Sequence, residues 1–316
     1  MKNQFFELKV LREGFTTTIQ DFGFKNLQHL GITSGGAIDD FSYQLGNIIL
    51  SNKITTPSIE FTKFGPKLLV KKGNLKIVIT GNVDFTLTID NKIIQGSVNR
   101  SYNITEGDLI DIRSTIDSNY GYLSIKNGLV SNLFKGSFST LTNSKIGNKI
   151  TINQILKGHI SKKTLNYKIK DNFVENEKII RVVKGPQMNY FKIKDIKKFY
   201  SNSFTITNKI NRIGVRLTNN IIKPFKSFNI DSEGITKGTI QVPGDGNPII
   251  LASDHPTIGG YPKIATVIVA DYYKIVQYPE NTSFYFKEVS IDEAEILLNK
   301  YNNKLINMKK QLIKVD

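Results

Sequence analysis

The chain has 316 residues and a formal charge of +16 at pH 7, with 43 basic against 27 acidic side chains and no cysteine. That length allows two modest domains or one large β domain, and the missing cysteines exclude disulfides, thiol nucleophiles and thiolate metal sites. The charge does not by itself point to nucleic acid. Six of the basic residues are arginine (Arg12, Arg100, Arg113, Arg181, Arg212, Arg216) and the other 37 are lysine. Arginine is the side chain that grips phosphates and base edges bidentately, and these lysines are scattered among Asn and Ile rather than gathered in a block. No nucleic-acid partner is expected, although an anionic substrate or acidic protein would feel the positive field. The N-terminus, MKNQFFELK, lacks the apolar core of a signal peptide. The longest apolar run, around Ile264 to Ala270, is too short to cross a bilayer. A soluble, cytoplasmic protein with no membrane partner is expected.

Phe5 to Val10 reads as a strand, and the threonine run Thr16-Thr17-Thr18 favours another that Asp21-Phe22-Gly23 ends. The loop Gly31 to Asp40 follows, and its Ser34-Gly35-Gly36 can form an anion-binding backbone nest. From Asp39 to Leu50 the apolar positions Phe41, Leu45, Ile48 and Ile49 suit a helix capped by Asp39 or Asp40. Leu75–Thr80, Asp84–Ile89, Lys92–Ile94 and Asp108–Ile112 are short strands divided by Gly and Asn turns, a spacing that predicts a barrel or sandwich. Residues 157–180 are polar and poorly patterned, and read as an inter-domain linker. A helical turn is expected over Tyr272–Gln277, a strand over Thr282–Phe286, and an amphipathic helix from Ile291 to Leu312.

Asp231 to Asp271 breaks from this Lys/Asn/Ile-rich background. Two β-type runs, Gly238–Val242 and Pro248–Leu251, flank the turn Pro243-Gly244-Asp245-Gly246-Asn247. Asp-Gly between apolar runs is a hairpin signal, because glycine accepts the positive φ such turns need. The second run opens into Ser253-Asp254-His255-Pro256-Thr257-Ile258-Gly259-Gly260-Tyr261-Pro262. Polar residues crowd this loop, and its paired glycines would let backbone N–H groups face a ligand.

QVPGDGNPIILASDHPTIGGYP followed by IATVIVAD closely resembles the signature of the allophanate hydrolase subunit 2 family. That family includes the KipA-like proteins, the C subunit of the bacterial ATP-dependent 5-oxoprolinase and part of the carboxyltransferase domain of urea carboxylase. The resemblance runs from about residue 12 to 300. It takes in Thr18–Gly23, Ser34–Asp39, the turn Glu60–Pro66, Tyr122–Ile125, Gly136–Thr140, Gly185-Pro186-Gln187 and Arg212–Leu217. Phe24, Phe138 and Asn148 stand where the family usually has arginine, and Thr33 replaces a proline. The resemblance implies a mainly β chain of two cyclophilin-like β-barrel modules with a few short helices and a C-terminal helix. The modules are placed at residues 1–165 and 166–316. It also implies assembly with a KipI-like (allophanate hydrolase subunit 1) chain and a LamB/YcsF-like subunit, with ATP and its Mg counter-ion as the nucleotide.

The chemistry open to the chain is that of oxygen and amide groups. No G-x-x-x-x-G-K-[ST] loop is present, no Met-Lys carrier hairpin of the biotin type occurs, and His29, His159 and His255 lie far apart. Lactam or amide chemistry needs donors where oxyanion charge develops, a base, and a clamp for a carboxylate or phosphate. Asp254, His255 and Tyr261 are the candidate catalytic residues. Asp254 serves as base or metal-phosphate partner, or alternatively caps its loop. Arg212 and Arg216 are the candidate anion clamp, and Glu233, Gln241, Thr257, Gly259, Gly260, Ser34 and Asp39 are further candidates for binding substrate or nucleotide. Three functions remain open. One is a 5-oxoprolinase subunit acting with the two partners. Another is a biotin-dependent carboxyltransferase component acting on a urea-like substrate. The third is a non-catalytic KipA-like regulator that binds a KipI-like inhibitor, which the lost first-half arginines favour.

Overall fold

The computed structural model describes residues 5–147, 149–169 and 178–315. The chain divides into two compact units, the first made of residues 1–24, 39–172 and 304–316, the second of 25–38 and 173–303.

The first unit is built on two antiparallel sheets. One holds Ile155–His159, Phe5–Arg12, Lys67–Lys72, Leu109–Thr115, Val83–Ile89 and Lys92–Gln95 in that order. The other runs Thr16–Gln20, Ser58–Thr62, Tyr120–Ile125, Leu75–Thr80, Ser101–Ile104. Alternate residues of both sheets, among them Phe6, Leu8, Val10, Phe61, Ile77 and Ile112, form one core, as the two-residue period of a strand dictates. Leu75–Thr80 and Tyr120–Ile125 are buried along their whole length because helix α1, Asp40–Ile49, packs against them. Asp39 caps that helix, its carboxylate accepting from Ser42 N at 3.0 Å. Its own backbone N–H donates to Tyr122 Oη at 2.9 Å, and that hydroxyl donates to the buried Glu60 at 2.6 Å.

The second unit holds a closed barrel. Its strands run Ile179–Lys184, Lys263–Val267, Thr239–Gln241, Ile249–Leu251, Gly214–Thr218, Phe204–Ile210 and Ser283–Glu288, and the last pairs in parallel with the first. That parallel pair is what closes the ring. Phe199 on helix α2 (Ile193–Ser201), Phe204, Phe284 and Phe286 fill one region of the core, with Phe199 stacked on Phe286 at 4.7 Å between centroids. The expected hairpin is present, Thr239–Gln241 against Ile249–Leu251, and Gly246 in its turn has φ +79°. A separate two-strand ribbon pairs Glu233–Gly234 with Ile258–Gly259.

The mainly β expectation therefore holds, with one closed seven-strand barrel among the described residues; the first unit's edge strands are not hydrogen-bonded into a ring. The division between the two units falls inside the stretch 157–180, which is in part structured. Ile155–His159 pairs with Phe5–Lys9, and Asn166–Lys168 pairs with Ile313–Val315. These strands are too short for their alternation to stand out, while residues 170–177 of that stretch lie outside the described residues, as does Asn148. Helix α3 spans Val269–Gln277, longer than the expected turn, and α4 (Ile291–Met308) ends before the short final strand. Helix α2 carries no expectation from sequence, because its three lysines dilute a face whose one buried residue is Phe199.

Phe286→Ala removes a ring that touches three others, and is expected to cost about 3–5 kcal/mol. Urea denaturation followed by circular dichroism measures it; a loss below about 1 kcal/mol would mean that the aromatic cluster is not a packed core.

Candidate functional site

Between Phe204–Ile210 and Gly214–Thr218 the chain turns through Asn211-Arg212-Ile213. Asn211 Oδ1 accepts from Ile213 N at 2.8 Å and Gly214 N at 3.2 Å, fixing the turn. Arg212 then reaches Asp254 bidentately, Nε to Oδ2 at 2.9 Å and Nη2 to Oδ1 at 2.7 Å. Both side chains are shielded, 9% and 5% exposed. The backbone repeats the link, since Asp254 N donates to Arg212 O at 2.7 Å. Arg212 Nη2 also donates to Gly36 O at 2.8 Å, and Gly35 N donates to Ser253 O at 3.0 Å. One guanidinium thus joins the 33–36 loop, the 211–214 turn and the loop after Ile249–Leu251, all within the second unit.

The Ser34-Gly35-Gly36 loop is accordingly not an open anion nest, because the Gly35 amide is used internally. It leaves something else. Ser34 Oγ and Ser253 Oγ are both shielded from solvent and have no hydrogen-bond partner among the described residues.

The loop from Ala252 to Pro262 is laced down its length. Ala252 N donates to Ile213 O, Ile235 N to Thr257 O, Ile230 N to Gly260 O, and Val242 N to Pro262 O. His255 is 2% exposed, and its Nδ1 donates to Pro256 O at 2.5 Å, which leaves Nε2 as the acceptor of a neutral ring. Burial holds its pKa below the usual histidine value. The Pro256 carbonyl and the Asp254 charge oppose that, and the Lys237 charge adds to it. Thr257 is half-buried, whereas Tyr261 is 40% exposed.

The paired glycines of the loop are Gly259 and Gly260. Neither has a positive φ, and Gly259 spends its backbone pairing with Glu233. What Gly259 supplies is the missing side chain, since a β-carbon there would lie 2.5 Å from Gln241 Nε2. Gln241 is 5% exposed and its Nε2 has no partner among the described residues. It sits opposite Lys263 in the barrel. The Lys263 side chain is 6% exposed, and its ammonium pairs with Glu233 Oε1, which also accepts from Gln187 Nε2 at 2.6 Å. The Lys263 bond, with Gln187 assisting, holds the Glu233 carboxyl below its ordinary range despite some desolvation. Sequence reasoning missed Lys263 and Gln187. The available signal was a lysine at the head of an apolar strand, directly after Tyr261-Pro262.

Three candidates fall outside this arrangement. Arg216 pairs with Asp245 in the exposed hairpin turn rather than joining Arg212 in a fork. Asp39 belongs to the first unit, where it caps α1. Tyr261 is exposed, unlike the shielded side chains of Arg212 and Lys263.

Residues 30–288 match the family described as the carboxyltransferase domain, subdomains A and B. The chain belongs to that family. It is 29% identical over 292 residues to the 5-oxoprolinase C subunit of Haemophilus influenzae, covering 90% of this chain and 91% of that protein. It is 28% identical over 298 residues to the 5-oxoprolinase C subunit of Escherichia coli, covering 91% and 93%. The fold is that of the Kluyveromyces lactis urea carboxylase, with a TM-score of 0.86 at 24% identity, over all of this chain and 30% of that one. The Arg212 turn and the loop from Ala252 to Pro262 both lie within the residues that match the carboxyltransferase family.

Asp254→Ala leaves the Arg212 guanidinium buried without its carboxylate and is expected to destabilise the second unit by about 3–5 kcal/mol, read from urea midpoints. A change within about 0.5 kcal/mol, the scale of a surface substitution, would remove Asp254 from that role. His255 gives a pH signature. Its folded pKa is depressed, so the stability it contributes is present above the unfolded value of about 6.5 and is lost as pH falls below it. Urea midpoints of the wild type should drop between about pH 7 and 5, and His255→Asn should flatten that slope; an unchanged slope refutes the assignment.

Proposed function

We propose that the chain is the C-type subunit of an ATP-dependent 5-oxoprolinase, which converts 5-oxoproline, ATP and water to glutamate, ADP and phosphate. The observation that carries this reading is the end-to-end similarity to two bacterial proteins of that name, each matched over at least nine-tenths of its length. In this reading the chain works with a KipI-like subunit and a LamB/YcsF-like subunit. ATP phosphorylates the lactam oxygen, and water then opens the activated ring.

The site's chemistry supports an oxygen-rich amide substrate. Arg212, fixed by Asp254, holds the loop that carries His255. His255 is neutral and offers Nε2 as a base, the state that a general base needs. Asp254 positions Arg212 rather than taking a proton, since both its oxygens already accept from the guanidinium. Ser34 and Ser253 supply hydroxyls, and Gln241 an amide N–H, with no internal partner to displace. With no P-loop in the sequence, the nucleotide phosphates and their Mg are assigned to the assembled complex, where Ser34 and Thr257 are this chain's candidate contacts.

A second reading is favoured by the family itself. A carboxyltransferase of the urea carboxylase kind would move a carboxyl group from a biotin carrier to a urea-like acceptor. This chain spans 30% of the urea carboxylase whose fold it shares, so the carrier would come from another chain. Reconstitution decides between them. The isolated chain is expected to show no 5-oxoproline-dependent ATP hydrolysis, and the mixture with the KipI-like and LamB/YcsF-like subunits to show it. In that complex His255→Asn should lower kcat about a hundredfold, the scale of a lost general base. Biotin-dependent carboxylation of urea without lactam turnover would establish the second reading, and complex formation without any turnover a KipA-like regulator.

A further inference from the structure

Lys263 is one of 37 lysines, and its surroundings set it apart. Its side chain is 6% exposed, while that of Glu233, which balances it, is 45% exposed. Glu233 stands on a strand of two residues outside the barrel, and Lys263 stands on a barrel strand. The cation is therefore fixed by the scaffold and its counter-ion by a short surface ribbon.

Opposite Lys263 across the strand pair is Gln241, buried, with an Nε2 that donates to no group among the described residues. An unpaired buried amide is costly, and a purely structural Lys263–Glu233 bond gives no reason for it. Glycine at 259 keeps the space beside that amide free of a side chain. A cation and an unused neutral donor are thus carried at opposed positions of one strand pair of the barrel. A carboxylate has two oxygens and about four acceptor positions, and would meet both donors at once.

We propose that Lys263 and Gln241 form a recognition corner for the carboxylate of a small ligand, with Glu233 as the resident counter-ion that the ligand displaces. Resting on the 5-oxoprolinase reading, the ligand group is the ring carboxylate of 5-oxoproline. The corner binds and orients the substrate; no bond is made or broken there. Displacement predicts a sign that a structural ion pair does not: removing the charge of Glu233 should tighten ligand binding, because the competitor is gone, while removing that of Lys263 should abolish it.

Isothermal titration of the purified chain with 5-oxoproline, with 2-pyrrolidinone (the same lactam without the carboxylate) and with acetate tests this. The wild type should bind 5-oxoproline at least about tenfold more tightly than 2-pyrrolidinone, the order of discrimination a buried charged hydrogen bond provides. Lys263→Met should erase that preference, and Glu233→Gln should raise 5-oxoproline affinity severalfold. Gln241→Glu, close in shape to the native side chain, should also erase the preference, and serves if Lys263→Met does not fold. A folded Lys263→Met or Gln241→Glu protein that keeps the preference overturns the proposal, as does weaker binding by Glu233→Gln or no carboxylate binding by the wild type. Acetate binding that depends on Lys263, with 5-oxoproline bound no better than acetate, upholds the corner and sinks the lactam reading instead.

Discussion

The second unit's site depends on a single guanidinium. Arg212 is buried with its charge intact, and a buried cation is tolerable only when it is paired and its donors are used. Asp254 accepts two of those donors, and Gly36 O makes a third contact. The planar fork of arginine fits a carboxylate edge in a way that a lysine cannot. That explains why an arginine stands here in a chain whose basic residues are otherwise mostly lysine. The consequence is geometric. Segments near residues 35, 212 and 254 are brought to fixed positions, and every candidate group on the Ala252–Pro262 loop inherits its place from that arrangement. The pair is therefore best understood as a positioning device, and its energetic cost is offset by the backbone bonds that run beside it.

Much of this was legible in the sequence, and the failures have physical reasons. Strands punctuated by Gly and Asn, the capped helix α1 and the Asp-Gly hairpin all rest on local chemistry, and each stands where that chemistry puts it. Partner choice is not local. Arg212 and Arg216 look like equal members of one motif, yet one is buried against Asp254, 42 residues away, and the other meets Asp245 at the surface, 29 residues away. Nothing in the spacing of the two arginines distinguishes those fates. Glycines 259 and 260 invited a reading as exposed backbone donors. The need for a glycine at 259 comes instead from Gln241, which is adjacent only once the ribbon has folded over the barrel strand. Lys263 was hidden by abundance, being one lysine among many.

In the first unit the motif around Asp21 keeps its carboxylate without the expected arginines. Asp21 accepts from Ser137 Oγ and Ser139 Oγ at 2.6 Å each, and from Gly23 N and Phe138 N at 2.8 Å each. Four neutral donors thus serve a carboxyl group that is 6% exposed, and a buried polar group is tolerated when its hydrogen bonds are made. Phe24, at one of the substituted positions, is itself buried and packs edge-on against Phe134 at 6.1 Å. The replacement has thus exchanged a charge for a packed ring, and the carboxylate has been absorbed into the loop that holds Gly136–Thr140 in place.

The two units illustrate opposite uses of the same kind of group. Asp21 is an anion whose hydrogen-bonding capacity is consumed by its own neighbours, the condition of a group that stabilises a fold. Gln241, Ser34 and Ser253 are neutral donors whose capacity is left over after folding, and Lys263 is a shielded cation balanced by a largely exposed partner. Unsatisfied buried donors weaken a fold unless something supplies the acceptor. For these residues the capacity left over among the described residues is that of two hydroxyls beside the Arg212 staple and one amide N–H opposite Lys263.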